Sequence, residues 1–101
     1  MKLDHNLVVL ITGGASGLGE QTMRHLVSFG CKVAIADMNE DRINELGNEF
    51  KDKIITFICD VTVEEDVKKA VDGTVKHWGK LSVAIACAGV AWPMLTLSSR
   101  A

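Results

Sequence analysis

The stretch that decides the fold is NLVVLITGGASGLG, Asn6 to Gly19, a short apolar run that breaks into glycines. Leu7 to Ile11 are apolar at every position, the pattern of a parallel strand covered on both faces rather than one that alternates between core and solvent. The following segment, LGEQTMRHLVSFG (18–30), places Leu18, Thr22, Met23, Leu26 and Val27 along one side of a helix, with Gly30 where a left-handed cap belongs. The glycine turn between them gathers unpaired N–H groups and the positive end of a helix dipole at one point. That geometry receives a diphosphate. Tight strand-to-helix turns also favour glycine, so the turn gains meaning only from what surrounds it.

Outward from the turn, strands and helices alternate. KVAIAD (32–37) is a second apolar run closed by an acid, and Ile43, Leu46 and Phe50 mark a second helix. IITFICD (54–60) is a third strand, again ending in Asp. For the third helix, Thr62 and Glu65 have capping-box spacing, with Val63 and Val67 placed to clip across it. Val67, Val71, Val75 and Trp78 would form its apolar face, Glu64, Glu65 and Asp66 suit its start, and Gly79 stops it. LSVAIACA (81–88) is a fourth strand. Right-handed crossovers then predict an α/β fold, a Rossmann-type doubly wound parallel sheet of order 3-2-1-4. The first two helices should cover one face and the third helix the other.

Two acids give the glycine turn its context. Asp37 lies eighteen residues beyond Gly19 at the tip of the second strand. There its carboxylate would accept both ribose hydroxyls of an adenosine, a charge-assisted pair worth ~1.5–3 kcal/mol. It would repel a 2′-phosphate by up to ~4 kcal/mol per charge at an effective dielectric near 20. Met38 follows, not Arg, so NAD is favoured over NADP. Asp60 ends the third strand at the same edge and suits an adenine amino group. For each acid the alternative of capping the next helix stays open, although Thr62 is better placed for that than Asp60.

Composition bounds the rest. One hundred and one residues allow one domain, 48% hydrophobic with a single proline, which is the composition of a packed core. Net charge is −2 with scattered basic residues, which points to no nucleic acid and no membrane partner. Cys31, Cys59 and Cys87 lack metal-ligand spacing, as do His5, His25 and His77. Buried reduced thiols fit an intracellular protein, cytoplasmic or in the mitochondrial matrix. Glu20 follows Gly19 where a P-loop needs Lys, and the Gly13, Gly17 and Gly19 spacing differs from that of methyltransferases.

These residues resemble the short-chain dehydrogenase/reductases. TGGASGLG (12–19) is similar to that family's TGxxxGxG loop, Asp60-Val61 to its adenine-binding pair, and Ala88-Gly89 to the end of its NAG motif. GGASGLG, DVTVEEDV and CAGVA look most like the branch acting on 3-hydroxyacyl-CoA and hydroxysteroids. Cys87 replaces the Asn of NAG as in that branch, whereas Ala86 departs from its usual Asn. The resemblance implies NAD held by Gly13, Ser16, Gly17, Leu18, Gly19, Asp37, Asp60, Val61, Cys87, Ala88 and Gly89.

It also implies catalysis by a Ser, a Tyr and a Lys, all from beyond the fourth strand. The chain has no tyrosine, Ser98 and Ser99 lie too close to Gly89, and Lys80 precedes the fourth strand. The expectation is therefore an NAD-binding half-domain over 1–91 with a tail over 92–101. Its parent would exchange hydride between NAD and a secondary alcohol or ketone, and the chain alone would be inactive. The alternative is a short form that binds nucleotide without chemistry or associates through an open strand edge. Trp92, Met94, Leu95 and Leu97 could fold over part of that gap.

Overall fold

The computed structural model describes residues 3–13, 15 and 17–87. The elements run β1 (Val8–Thr12), α1 (Gly17–Ser28), β2 (Lys32–Asp37), α2 (Glu40–Phe50), a 3-10 turn (Lys51–Lys53), β3 (Ile54–Ile58), α3 (Glu64–Trp78) and β4 (Val83–Ala86). The strands form one parallel sheet of order β3-β2-β1-β4, as the sequence predicts. Each expected strand is present, with β1, β3 and β4 a residue or more shorter than their apolar runs.

The sheet divides the core in two. Val9, Ile11, Val33, Ile35 and Ile54 pack against Met23 and Leu26 of α1 and Ile43 and Leu46 of α2. On the opposite face, Leu10, Ala34 and Ala36 pack against Val67 and Ala70 of α3, with Ala84 and Phe57 at the margin. Residues of β1 and β2 thus point alternately into two apolar layers, which is why the runs are apolar throughout. Among the described residues β4 has a strand neighbour on one side only, and Val83, Ala84 and Ile85 are half-buried.

Helix ends explain where the chain turns. α1 closes in a Schellman arrangement: the Gly30 N–H donates to the Val27 carbonyl at 2.9 Å and the Cys31 N–H to that of Leu26 at 3.2 Å. Gly30 has φ +86°, so this position needs glycine. Gly79 ends α3 in the same left-handed conformation.

Three expectations need correction. Leu18 is 72% exposed, because Gly19, Met23 and Leu26 take the inward face of α1 and Leu18 is turned about 100° from Gly19. On α3 the buried residues are Val67, Ala70 and Thr74, while Val75 is 40% exposed. Val71 and Trp78 pack against the same core as expected, and Val75 alone leaves it, because it stands about 80° around a helix of 3.6 residues per turn from Val67, while Ala70 and Thr74 fill the inward positions. The Thr62–Glu65 capping box does not form: Val63 is the N-cap residue and makes no side-chain cap bond. Asp60 captures Thr62 instead, and Asp66 reaches back to the Asp60 N–H at 3.1 Å.

No helix of the described residues is long and apolar enough to cross a membrane. Cys31 and Cys59 are buried thiols and Cys87 a half-buried one, none in a disulfide.

Candidate functional site

All four strands end at one edge. α1 leaves β1 toward β2 on one face, whereas α3 enters β4 across the other, so the carboxyl ends of β1 and β4 flank a topological switch point. Backbone bonds carry the sheet past the strand tips: Gly13 N–H to Ala36 at 2.7 Å, Cys59 N–H to Asp37 at 2.9 Å, and Cys87 N–H to Thr12 at 2.8 Å. Buried Thr12 adds a hydroxyl bond to the Ile85 carbonyl at 3.4 Å. Loops leaving this edge start from fixed points.

The glycine turn leaves β1 through Gly13 at φ +73° and enters α1 through Gly17 at φ +54°. Both are left-handed conformations that a side chain would strain. A Cβ on Gly17 would meet nothing within 4 Å, so backbone shape, not crowding, selects glycine there. Gly19 is buried on the inward face of α1.

Asp37 links this turn to the next corner. Its Oδ2 accepts the Ala15 N–H at 3.2 Å and its Oδ1 the Asn39 N–H at 3.0 Å. Asn39, not Asp37, caps α2, accepting the Arg42 N–H at 3.1 Å. The carboxylate therefore stands beside the glycine turn with lone pairs to spare, since each oxygen can accept twice. Met38, next in the chain, is 64% exposed and places apolar surface beside it.

Asp60 lies at the tip of β3. Its Oδ1 accepts the Thr62 hydroxyl at 2.6 Å and the Thr62 N–H at 2.9 Å, and these bonds hold its carboxyl below the usual carboxylate range. It does not cap α3. Val61 is half-buried beside it. Burial pushes the Cys87 thiol up, so it stands at the edge as a neutral group.

The structure thus brings Gly13, Gly17, Leu18, Gly19, Asp37, Asp60, Val61 and Cys87 to or beside one edge of the sheet. Ser16, Ala88 and Gly89 lie outside the described residues, as does the tail with Trp92, Met94, Leu95 and Leu97. Sequence reasoning missed two features here. Exposed Met38 carried a signal, being apolar next to a candidate binding acid. The Glu20–Arg42 ion pair, 2.5 Å between Oε1 and Nη2, carried none, because its partners lie on different helices. Among the described residues no group of three His, Cys, Asp or Glu could hold a metal ion.

Residues 7–100 match the model of the short chain dehydrogenase family. The chain is 39% identical over 93 residues to 3-hydroxyacyl-CoA dehydrogenase type-2 of Drosophila melanogaster, covering 92% of this chain and 36% of that protein. It is 47% identical over 91 residues to secoisolariciresinol dehydrogenase of Forsythia intermedia, covering 85% and 31%. A solved 3-ketoacyl-(acyl-carrier-protein) reductase from Brucella melitensis, complexed with NADH, superposes with a TM-score of 0.77 at 30% identity, over 82% of this chain and 34% of that one. The 3-hydroxyacyl-CoA dehydrogenase type-2 from Mycobacterium avium gives 0.78 at 30% identity, over 89% and 35%. The chain spans about a third of the length of these relatives.

Proposed function

The chain belongs to the short chain dehydrogenase family, and from that premise we propose that it is the NAD-binding portion of an oxidoreductase. The glycine turn would seat the diphosphate, Asp37 the adenosine ribose, and Asp60 with Val61 the adenine. Gly13, Ser16, Gly17, Leu18 and Gly19 would line the turn, and Cys87, Ala88 and Gly89 would pass the dinucleotide along the end of β4. When bound, NAD accepts or returns a hydride at its nicotinamide ring. The parent reaction is hydride exchange with a secondary alcohol or ketone of the 3-hydroxyacyl-CoA or hydroxysteroid type.

One observation carries this reading: the Asp37 carboxylate is tied to the glycine turn through Ala15, so ribose and diphosphate acceptors form one unit. A carboxylate there suits two ribose hydroxyls and opposes a 2′-phosphate, by up to ~4 kcal/mol per charge at an effective dielectric near 20. The 101 residues contain no tyrosine to serve as the family's acid/base, so no residue of this chain is assigned a catalytic role.

Titration of the purified chain with NADH and NADPH tests the reading. Saturable NADH binding that exceeds NADPH binding and weakens in Asp37→Ala is expected. No binding, or equal binding of the two, refutes it. A second reading, self-association through β4, draws on that strand having one neighbour among the described residues. It requires assembly that grows with protein concentration and ignores NADH.

A further inference from the structure

The candidate ribose acceptor sits inside a closed ring of contacts. Starting from the glycine turn, the Ala15 N–H donates to Asp37 Oδ2, whose partner oxygen accepts the Asn39 N–H. Asn39 Oδ1 accepts the Arg42 N–H, and Arg42 Nη2 donates to Glu20 Oε1. Glu20 lies in the first turn of α1, so the chain itself returns from there to the glycine turn. Glu20 is held from its other side as well, its Oε2 accepting from Arg24 Nε at 2.8 Å. Its side chain is 18% exposed, sheltered more than any other carboxylate among the ion pairs found in the described residues.

The Arg24–Glu49 contact supplies an internal comparison. It is a bidentate fork between the same two helices, with distances of 2.6 and 2.9 Å. Glu49 lies next to the last residue of α2, at the end away from Asp37. Both contacts hold α1 against α2, but only Glu20–Arg42 closes the ring.

We propose that Glu20 and Arg42 are positioning residues, which lock the glycine turn and the β2–α2 corner together and so aim the Asp37 carboxylate. Its consequence for ligand rests on the dinucleotide reading above; the ring itself does not. With Arg42 cut away, the Asp37 carboxylate is the only side chain of the ring still joining the corner to the turn, while the Gly13–Ala36 backbone bond anchors the strand end and the Arg24–Glu49 fork joins the helices farther off. Ribose hydroxyls then meet an acceptor that swings rather than one held ready, and affinity falls because ordering is left to the binding step.

The test uses the full chain with Arg42→Met, Arg42→Lys and Glu49→Gln, because replacing Glu20 would also release Arg24. Hydrogen exchange at the Ala15 and Asn39 amides reads the ring without ligand, and NADH titration reads its consequence. Arg42→Met is expected to speed both amides and to raise the NADH Kd roughly threefold to tenfold, the loss of about one hydrogen bond. Arg42→Lys, which retains one donor toward Glu20, should stay near wild type. Glu49→Gln should lower the thermal midpoint while leaving the two amides and the Kd unchanged. The ring is overturned if both amides exchange as in wild type in Arg42→Met, or if Glu49→Gln speeds them equally. Faster exchange in a chain that binds no NADH would refute the dinucleotide reading and keep the ring.

Discussion

The two faces of the sheet are packed on different terms. On the α1/α2 face, branched residues of β1 and β2 meet Met23, Leu26, Ile43 and Leu46, and large side chains set the spacing. On the α3 face small residues are set among the large ones: the strands offer Ala34 and Ala36 beside Leu10, and the helix Ala70 and Gly73 beside Val67, Val71 and Trp78. There an aromatic ring lies against the helix backbone: a Cβ on Gly73 would lie 2.6 and 2.7 Å from two atoms of the Phe57 ring. Charge follows the same division. All four ion pairs found among the described residues lie within or between α1 and α2, although α3 carries opposite charges at helical spacing. One face is filled by bulk and bolted by charge; the other depends on smallness. The first should fail when atoms are removed, the second when they are added.

The largest effect is expected from Ile35→Ala on the bulky face, about 2–5 kcal/mol from lost transfer energy and a cavity that cannot fully collapse. A urea midpoint at unchanged slope measures it, and a loss under 1 kcal/mol would break the contrast. Gly73→Ala should destabilise by about 1–3 kcal/mol through overpacking, less the ~1 kcal/mol of helix propensity that alanine returns. Phe57→Leu in the same background should recover part of this, and a double-mutant cycle isolates the pair.

Asp66→Ala should cost about 1 kcal/mol by freeing the Asp60 N–H, whereas Glu65→Ala should stay within about 0.5 kcal/mol. The reverse order would restore the capping box that the structure replaces. Gly47→Ala in α2 should stabilise by about 0.5–1 kcal/mol, since its Cβ would meet Thr56 at an ordinary 3.6 Å. The smallest signal is acid sensitivity. Arg42 and Arg24 hold the Glu20 carboxyl below its ordinary 4.5, and Arg24 does the same for Glu49. Lowered carboxylates contribute stability that is present above that value and lost as pH falls through the folded-state value. The gap in thermal midpoint between wild type and Glu20→Gln should therefore hold at pH 6 and close below pH 4.5.

Elements, strand order and the edge where the glycine turn and the two acids meet were legible because each rests on local pattern. Runs apolar at every position identify buried parallel strands, and glycine after a strand or helix marks a turn that other residues resist. The misjudged features were relational. Leu18 has the right character for the α1 core, but Gly19 beside it takes the inward position together with Met23 and Leu26. On α3 the expected Val67, Val71 and Trp78 do face the core, but Val75 turns away and the inward positions Ala70 and Thr74 are too small or too polar to look like a core. Thr62 has a capping sequence, yet a neighbouring carboxylate competes for its hydroxyl and N–H.

By itself, then, the sequence determined the alternating strands and helices, the parallel sheet and the place of the glycine turn with Asp37 and Asp60. These follow from hydrophobic periodicity and backbone sterics acting over a few residues. Only the tertiary structure decided which carboxylate each donor finds: Asp37 with Ala15, Asp60 with Thr62, and Glu20 with Arg42. Two of these three bonds span twenty-two residues and the third goes to a carboxylate two residues away that competes with helix capping, and a hydrogen bond forms only where distance and angle coincide. That coincidence is a property of the packed chain.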